Sequence, residues 1–446
     1  MSRTDGIVTH PNGKPSWLSG SVLNYVRQEG TCLRQRTRRY HEWVLNRDLN
    51  GVVPFQRTAE RKIGREVWIG SERPGATLNF SSQDYLGLAQ DPRLAEEAVR
   101  GIAAFGVHSA GSPAFCGSTR ALRGLEDRIS NAIGTDEVVV YPTGWAAGYG
   151  VPVALIRGDD LVLMDALSHN CIQEGARASG GEVRKFRHND LGELEALIQT
   201  ARAADAGRGI FVLVESLYSM DSDSPDLGAL LDLCERYEAI SILDVAHDFG
   251  SMGAHGRGLL DTVPGRLPDV VLGSFSKTFA ANGGFATAKP EVVNYLRYYS
   301  PTNLFSNAIS PMQTYVADKA FEITFSEEGA ALRETLMDRV KHLRASMRGL
   351  GFQVHGEPSA ICPVFVGDEA LARLTSKHVF ELGMAANLVE FPAVPRGKAR
   401  FRFQLMANHE PADLDRAAAI LLEAKDRGTA ELETLILRST RSEIRG

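Results

Sequence analysis

From about residue 135 onward, short apolar, β-rich runs alternate with stretches in which apolar positions recur at helical spacing. The runs are Glu137–Tyr141, Leu161–Met164, Val183–Phe186, Ile210–Glu215, Ile240–Asp244, Val270–Gly273 and Gly284–Ala288. Helical patterns such as Asp190–Ala203 and Leu227–Glu238 lie between most of them. Strands alternating with helices predict an α/β domain on a mostly parallel, seven-stranded sheet covered on both faces. Ligands of such sheets sit outside the carboxyl ends of the strands.

The flanks read differently. Residues 1 to about 20 look like a leader, and 21–48 carries a helical pattern with the basic cluster Arg34, Arg36, Arg38 and Arg39. That cluster is either a solvated helix face or a patch for an anionic substrate carrier. A strand is predicted at Thr77–Phe80, followed by the turn-rich SSQDYLGLA. After residue 300 the pattern predicts one long helix over Pro311–Leu350. Strands follow near Phe352–Val354, Ile361–Val366 and Arg400–Leu405, then a closing helix over Pro411–Asp426. The expected organisation is a leader and helical arm (1–76), a large domain (77–300) and a smaller C-terminal α+β domain (301–446).

Composition narrows the class. The 446 residues suggest two or three folding units, and 43% apolar with 23% charged residues excludes a disordered or fibrous chain. A net charge of −6 argues against a nucleic-acid binder. The five cysteines, Cys32, Cys116, Cys171, Cys234 and Cys362, are odd in number and widely spaced, with no CxxC pair. That speaks against a disulfide scaffold or zinc site and for a reducing, cytoplasmic setting. The first residues lack the apolar core of a signal peptide. Two uncharged stretches, Val138–Ile156 and Tyr298–Ala317, are interrupted by prolines and predict soluble strand–loop–helix pieces rather than membrane spans.

Four strand-end loops carry the candidate chemistry. In GSFSKTF, Lys277 follows an apolar run and is placed to form a Schiff base with a carbonyl cofactor. Ser274 and Ser276 beside it offer hydroxyls to a phosphate, although any loop lysine looks similar. In ISILDVAHDFG, Asp244 ends a strand and can hold a pyridinium nitrogen protonated, while His247 can bond the ring's phenolic oxygen. Alone, the pair reads equally as a helix cap and a surface histidine. In YPTGWAAGYG, a turn of small residues into a helix presents free N–H groups to a phosphate, or is an ordinary tight turn. In DALSHNCIQEG, His169 lies just past a strand end, where an imidazole can stack on a flat ring or simply face solvent. Four such loops in order are far less common than any one.

Taken together, these segments resemble the α-oxoamine synthases, fold-type-I enzymes dependent on pyridoxal 5′-phosphate (PLP). The family includes serine palmitoyltransferase, 8-amino-7-oxononanoate synthase, 5-aminolevulinate synthase and 2-amino-3-ketobutyrate CoA ligase. The matching segments are FSSQDYLGLA, GSPAFCGSTRALRGLE, YPTGWAAG, DALSHN, ESLYSMDSD, DVAHDFGSMGAHGRG, GSFSKTFAANGGF, NLFSNAISP and ARFRFQLMANHE. The resemblance implies that Lys277 is the Schiff-base lysine and the acid/base at the substrate Cα. Asp244 would pair with the pyridine nitrogen, His247 with the ring oxygen, and His169 would stack on the ring. Gly144 and Trp145 backbone, with Ser274, would hold the phosphate; Ser306 and Asn307 would reach it from a partner subunit of a homodimer. Ser219 would lie near the cofactor, and Arg402 would bind the amino-acid carboxylate.

The implied reaction is decarboxylative condensation of a small amino acid with an acyl thioester, on coenzyme A or a carrier protein, giving an α-amino ketone. A serine-palmitoyltransferase-like or secondary-metabolite role is favoured. The alternatives are transamination, Cα–Cβ cleavage, or a non-catalytic partner subunit, against which the presence of Lys277 counts. The chain departs from the family in its pocket. Gln83 stands where asparagine is usual near the carboxylate, Leu122 where a histidine is usual, and Gln404 and Met406 at Ser/Thr positions. Val245 replaces the glutamate of DEAH, and Asp248 a small polar residue. No metal site is expected.

Overall fold

A computed structural model describes residues 14–26, 30–61, 63–70 and 75–443; much of the expected leader lies outside the described residues. The chain divides into two compact units. One comprises Gln83–Asp338 and Met406–Asn408, the other Met1–Ser82, Arg339–Leu405 and His409–Gly446.

The first unit is built on a seven-stranded sheet. Its strands are β3 (Glu137–Tyr141), β4 (Leu161–Asp165), β5 (Glu182–Phe186), β6 (Ile210–Glu215), β7 (Ile240–Asp244), β8 (Val270–Ser274) and β9 (Gly284–Ala288). Their order is β3-β9-β8-β7-β6-β4-β5, and only β9 runs against its neighbours. All seven expected strands are present, within one residue at each end. β4, β6 and β9 are buried along their whole length, as strands covered on both faces must be. β5, at the edge, exposes Arg184 and Lys185, charges of the kind that blunt an open edge.

The second unit holds a mixed five-stranded sheet in the order β1-β2-β11-β12-β10. Its strands are β1 (Glu66–Val67), β2 (Thr77–Phe80), β10 (Ile361–Gly367), β11 (Met384–Val389) and β12 (Ala399–Gln404). Here the expected boundaries need correction. β2, assigned to the large domain from sequence, pairs in parallel with β11. The N-terminal segment belongs to this smaller unit, because buried Arg373 donates to the carbonyls of Leu18 (2.7 Å) and Gly20 (2.8 Å). Residues 301–338, expected in the small domain, belong to the large unit.

Helices differ from expectation where capping decides. The single helix predicted over Pro311–Leu350 is two, Pro311–Thr324 and Glu327–Gly349. Ser326 breaks it: its carbonyl receives the Ala330 N–H and its hydroxyl the Gly329 N–H, with Glu327 and Glu328 favouring the new N-terminus. The closing helix runs on to Glu443, through Gly428, whose missing side chain lets the helix approach the Thr375 backbone. The strand expected near Phe352–Val354 is a lone bridge between Val354 and Val364. The pattern over 21–48 is a 3-10 turn (Val22–Tyr25) and then a helix (Leu33–Leu49), on which Arg34, Arg36, Arg38 and Arg39 are all exposed. Among the described residues no helix is long and apolar enough to cross a membrane.

Candidate active site

The carboxyl ends of β4, β6 and β7 place three acidic residues side by side: Asp165, Glu215 and Asp244, the last two in direct register. Asp244 Oδ1 accepts the Ala246 N–H at 2.9 Å, which fixes the carboxylate at the strand end. Lys277 follows β8, the next strand in the sheet, and is half-buried. Burial pushes the Glu215 carboxyl well above the ordinary carboxylate range; neighbouring Asp244 adds to this, while the His169 N–H and Lys277 pull it down. Burial likewise raises the Cys171 thiol, with Asp244 and Glu215 adding and Lys277 opposing. These mutual influences bring Lys277, Asp244, Glu215 and Cys171 into one electrostatic cluster.

His247 is buried, and its Nδ1 lies 2.8 Å from the Tyr85 hydroxyl. His169 caps the helix Asn170–Ala178 through the Cys171 N–H, its own N–H donates to Glu215, and its ring is exposed. Ser219 is buried in the loop after β6.

A second cluster forms around the helix Gly144–Leu155. The Thr143 side chain and carbonyl take the N–H groups of Ala146 (3.0 Å) and Ala147 (3.2 Å), leaving those of Gly144 and Trp145 at the positive end of the helix. A Cβ on Gly144 would stand 2.5 Å from Ser274 Cβ and Oγ, so only glycine lets the end of β8 come this close. Two backbone donors and a hydroxyl in one nest suit a phosphate. The Trp145 ring stacks on Tyr149 (centroids 5.1 Å apart, planes at 12°). The residues therefore fit PLP: a phosphate nest, an amine for the carbonyl, and a carboxylate for the ring nitrogen. Among the described residues no cluster could hold a metal ion.

The other expected residues are distributed over both units. Ser306 is half-buried and Asn307 exposed, its amide 3.3 Å from His108 Nε2. Gln83 is half-buried in the first unit, and Arg402 sits on β12 of the second, opposite Pro363 and Asn387. Leu122, Gln404 and Met406 are buried. Asp248 is enclosed: the Ser216 hydroxyl and the Leu259 N–H (2.7 Å) donate to it, and burial pushes it up to about 7. A Cβ on Gly258, already at φ +59°, would meet that carboxylate at 2.3 Å, so the last glycine of the HGRG segment makes room for Asp248. Sequence reasoning passed over Tyr85 and Glu215, although both fall in motifs it quoted.

Residues 76–421 match the aminotransferase class I and II family. The 2-amino-3-ketobutyrate coenzyme A ligase of Salmonella typhimurium is 32% identical over 343 residues, covering 76% of this chain and 85% of that one. The 8-amino-7-oxononanoate synthase of Salmonella arizonae is 32% identical over 344 residues, covering 77% and 88%. The chain belongs to the α-oxoamine synthases. Serine palmitoyltransferase from Sphingomonas wittichii shares the fold at 24% identity, with a TM-score of 0.84 over 90% of this chain and 100% of that one. As an α-oxoamine synthase the protein is a PLP-dependent C-acyltransferase of fold type I.

Proposed function

We propose that the protein condenses a small amino acid with an acyl thioester, releasing the thiol and CO2 and leaving an α-amino ketone. One observation carries the reading: Lys277 shares an electrostatic cluster with Asp244 and Glu215, while the same β8 end meets the phosphate nest at Gly144. Bound PLP supplies an electron sink for the charge left when the amino acid loses its Cα proton. Lys277 Nζ takes that proton and later returns one to the product carbon. Asp244, held by the Ala246 N–H, would keep the pyridine nitrogen protonated. His247, oriented by Tyr85, would bond the ring oxygen, and His169, which is exposed, would stack on the ring. Gly144, Trp145 and Ser274 would hold the phosphate, and Ser219 would lie near the cofactor.

Arg402 is the proposed anchor for the amino-acid carboxylate, since its planar fork makes two charge-assisted hydrogen bonds. Arg402→Ala is expected to raise the amino-acid KM by about a hundred-fold, and Arg402→Lys to recover only part. Wild-type KM in both variants places the carboxylate elsewhere. Gln83, longer than the usual asparagine, and Leu122 are proposed to shift the choice of amino acid. Thiol release from a panel of glycine, alanine and serine against short- and long-chain acyl thioesters tests the function. Amino-acid turnover without thiol release would favour transamination or cleavage.

We also infer a cytoplasmic homodimer. Phe115 (82% exposed), Phe305 (84%) and Val107 (71%) lie on two loops stitched together by Ser112 Oγ to Leu304 O (2.6 Å), Ala308 N to Gly111 O (3.0 Å) and Ser109 Oγ to Ala308 O (3.0 Å). Exposed apolar side chains on neighbouring loops support an interface here. It carries Ser306 and Asn307, which would then serve the partner's phosphate. Phe305→Asp is expected to turn a dimer into a monomer by light scattering. An unchanged mass would remove this patch from the interface.

A further inference from the structure

The carboxyl end of β4 and the loops after β5 and β6 of the large unit meet at one side chain that the proposed chemistry does not use. His188, in the loop after β5, places Nδ1 2.9 Å from Asp165 Oδ1 and Nε2 2.8 Å from Asp223 Oδ2. Ionised carboxylates only accept, so a ring bonded to both carries hydrogen on both nitrogens as an imidazolium; the Asn189 amide lies 3.3 Å from Nε2 beside them. Asp165 is fully buried at the end of β4, where it also accepts the N–H groups of Leu167 (2.8 Å) and Asn189 (2.9 Å). Asp223 ends the ESLYSMDSD segment and exchanges backbone contacts with Tyr218 across the loop that holds Ser219. The edge of the His188 ring meets the Tyr218 ring (4.5 Å, 84°). Asn189, at φ +55°, reaches Asp223 (3.3 Å) and the Ser224 carbonyl (3.4 Å).

We propose that His188 is a positioning residue: as a cation between Asp165, at the root of the loop that carries His169, and Asp223, in the loop that carries Ser219, it ties those two loops together. The proposal rests on the reading that those two loops line the PLP site. Their spacing would otherwise depend on a buried Asp165 carboxylate that has lost its countercharge, a state that drives loops apart or forces proton uptake. The charged and titratable groups facing the ring are Asp165 from β4 and Asp223 and Tyr218 from the loop after β6. Lys185 on β5 and Glu215 on β6 in turn interact with Asp165.

Burial works against the charge, but Asp165 and Asp223 outweigh it and lift the ring from 6.5 to about 10. The clamp's contribution is therefore complete below about 6.5 and is lost as pH rises through about 10. Across the neutral range it is constant. Removing one carboxylate should bring the loss down into that range.

The test is titration of the full-length apoprotein with PLP, by cofactor absorbance, from about pH 6 to about pH 9, for wild type, His188→Gln and Asp223→Asn. Wild-type affinity should be flat with pH. His188→Gln should bind PLP about ten- to a hundred-fold more weakly at every pH. Asp223→Asn should bind nearly as wild type at the acid end and about ten-fold more weakly at the alkaline end, a pH profile that mere loss of packing does not produce. Wild-type affinity in both variants throughout, even with lowered melting temperatures, would overturn the clamp. So would a uniform loss in Asp223→Asn without pH dependence. A wild-type protein that fails to bind PLP at all would overturn the cofactor reading itself.

Discussion

Lys277→Ala is expected to lower turnover by at least about a thousand-fold, the upper part of the range for a positioned acid/base. The fold should survive. Lys277 is half-buried and lies in a loop outside the strands, so the melting temperature should move by no more than about 4 °C. The substitution also removes the cation that opposes the raised Glu215 carboxyl, so that group should become still harder to ionise. Exchange of the amino acid's Cα proton with solvent deuterium reads the defect directly. Retained exchange in Lys277→Ala would mean that another base removes the proton.

Asp244→Asn should have the next largest effect, a loss of about 3 kcal/mol in the proton-abstraction step, comparable with removing one preorganised electrostatic partner. The amide can still accept the Ala246 N–H, so the strand end and PLP binding should persist. What it cannot do is hold a ring nitrogen in its cationic form. The same change relieves Glu215 of its like-charged neighbour, so the Glu215 carboxyl should titrate lower. Near-normal deuterium exchange would remove Asp244 from the role.

The strands were legible because parallel strands are apolar on both faces, and such runs stand out from the amphipathic helices between them. Less legible were features set by contacts distant in sequence. β2 looks like any short strand, and only its pairing with β11 assigns it to the smaller unit. β11 itself, MAANLV, has too much alanine to announce a strand. The break at Ser326 was written in the sequence as a serine followed by two glutamates, a helix start that the apolar periodicity on either side obscured. In the site, the four strand-end loops could be picked out because each follows an apolar run directly. Tyr85 and His188 could not. Tyr85 meets His247 across 162 residues, and His188 acquires its charge only where the end of β4 and the loops after β5 and β6 converge.

The central claim is that one active site joins an amino acid to an acyl group with loss of CO2. Its most direct measurement is the stoichiometry of a single reaction: PLP-loaded protein, a carboxyl-labelled amino acid and an acyl thioester, with thiol, labelled CO2 and amino ketone quantified together. The account predicts that the three appear in equal amounts and that none forms when either substrate is withheld. Conversion of the amino acid to a keto acid or an aldehyde, with the thioester left intact, would contradict it.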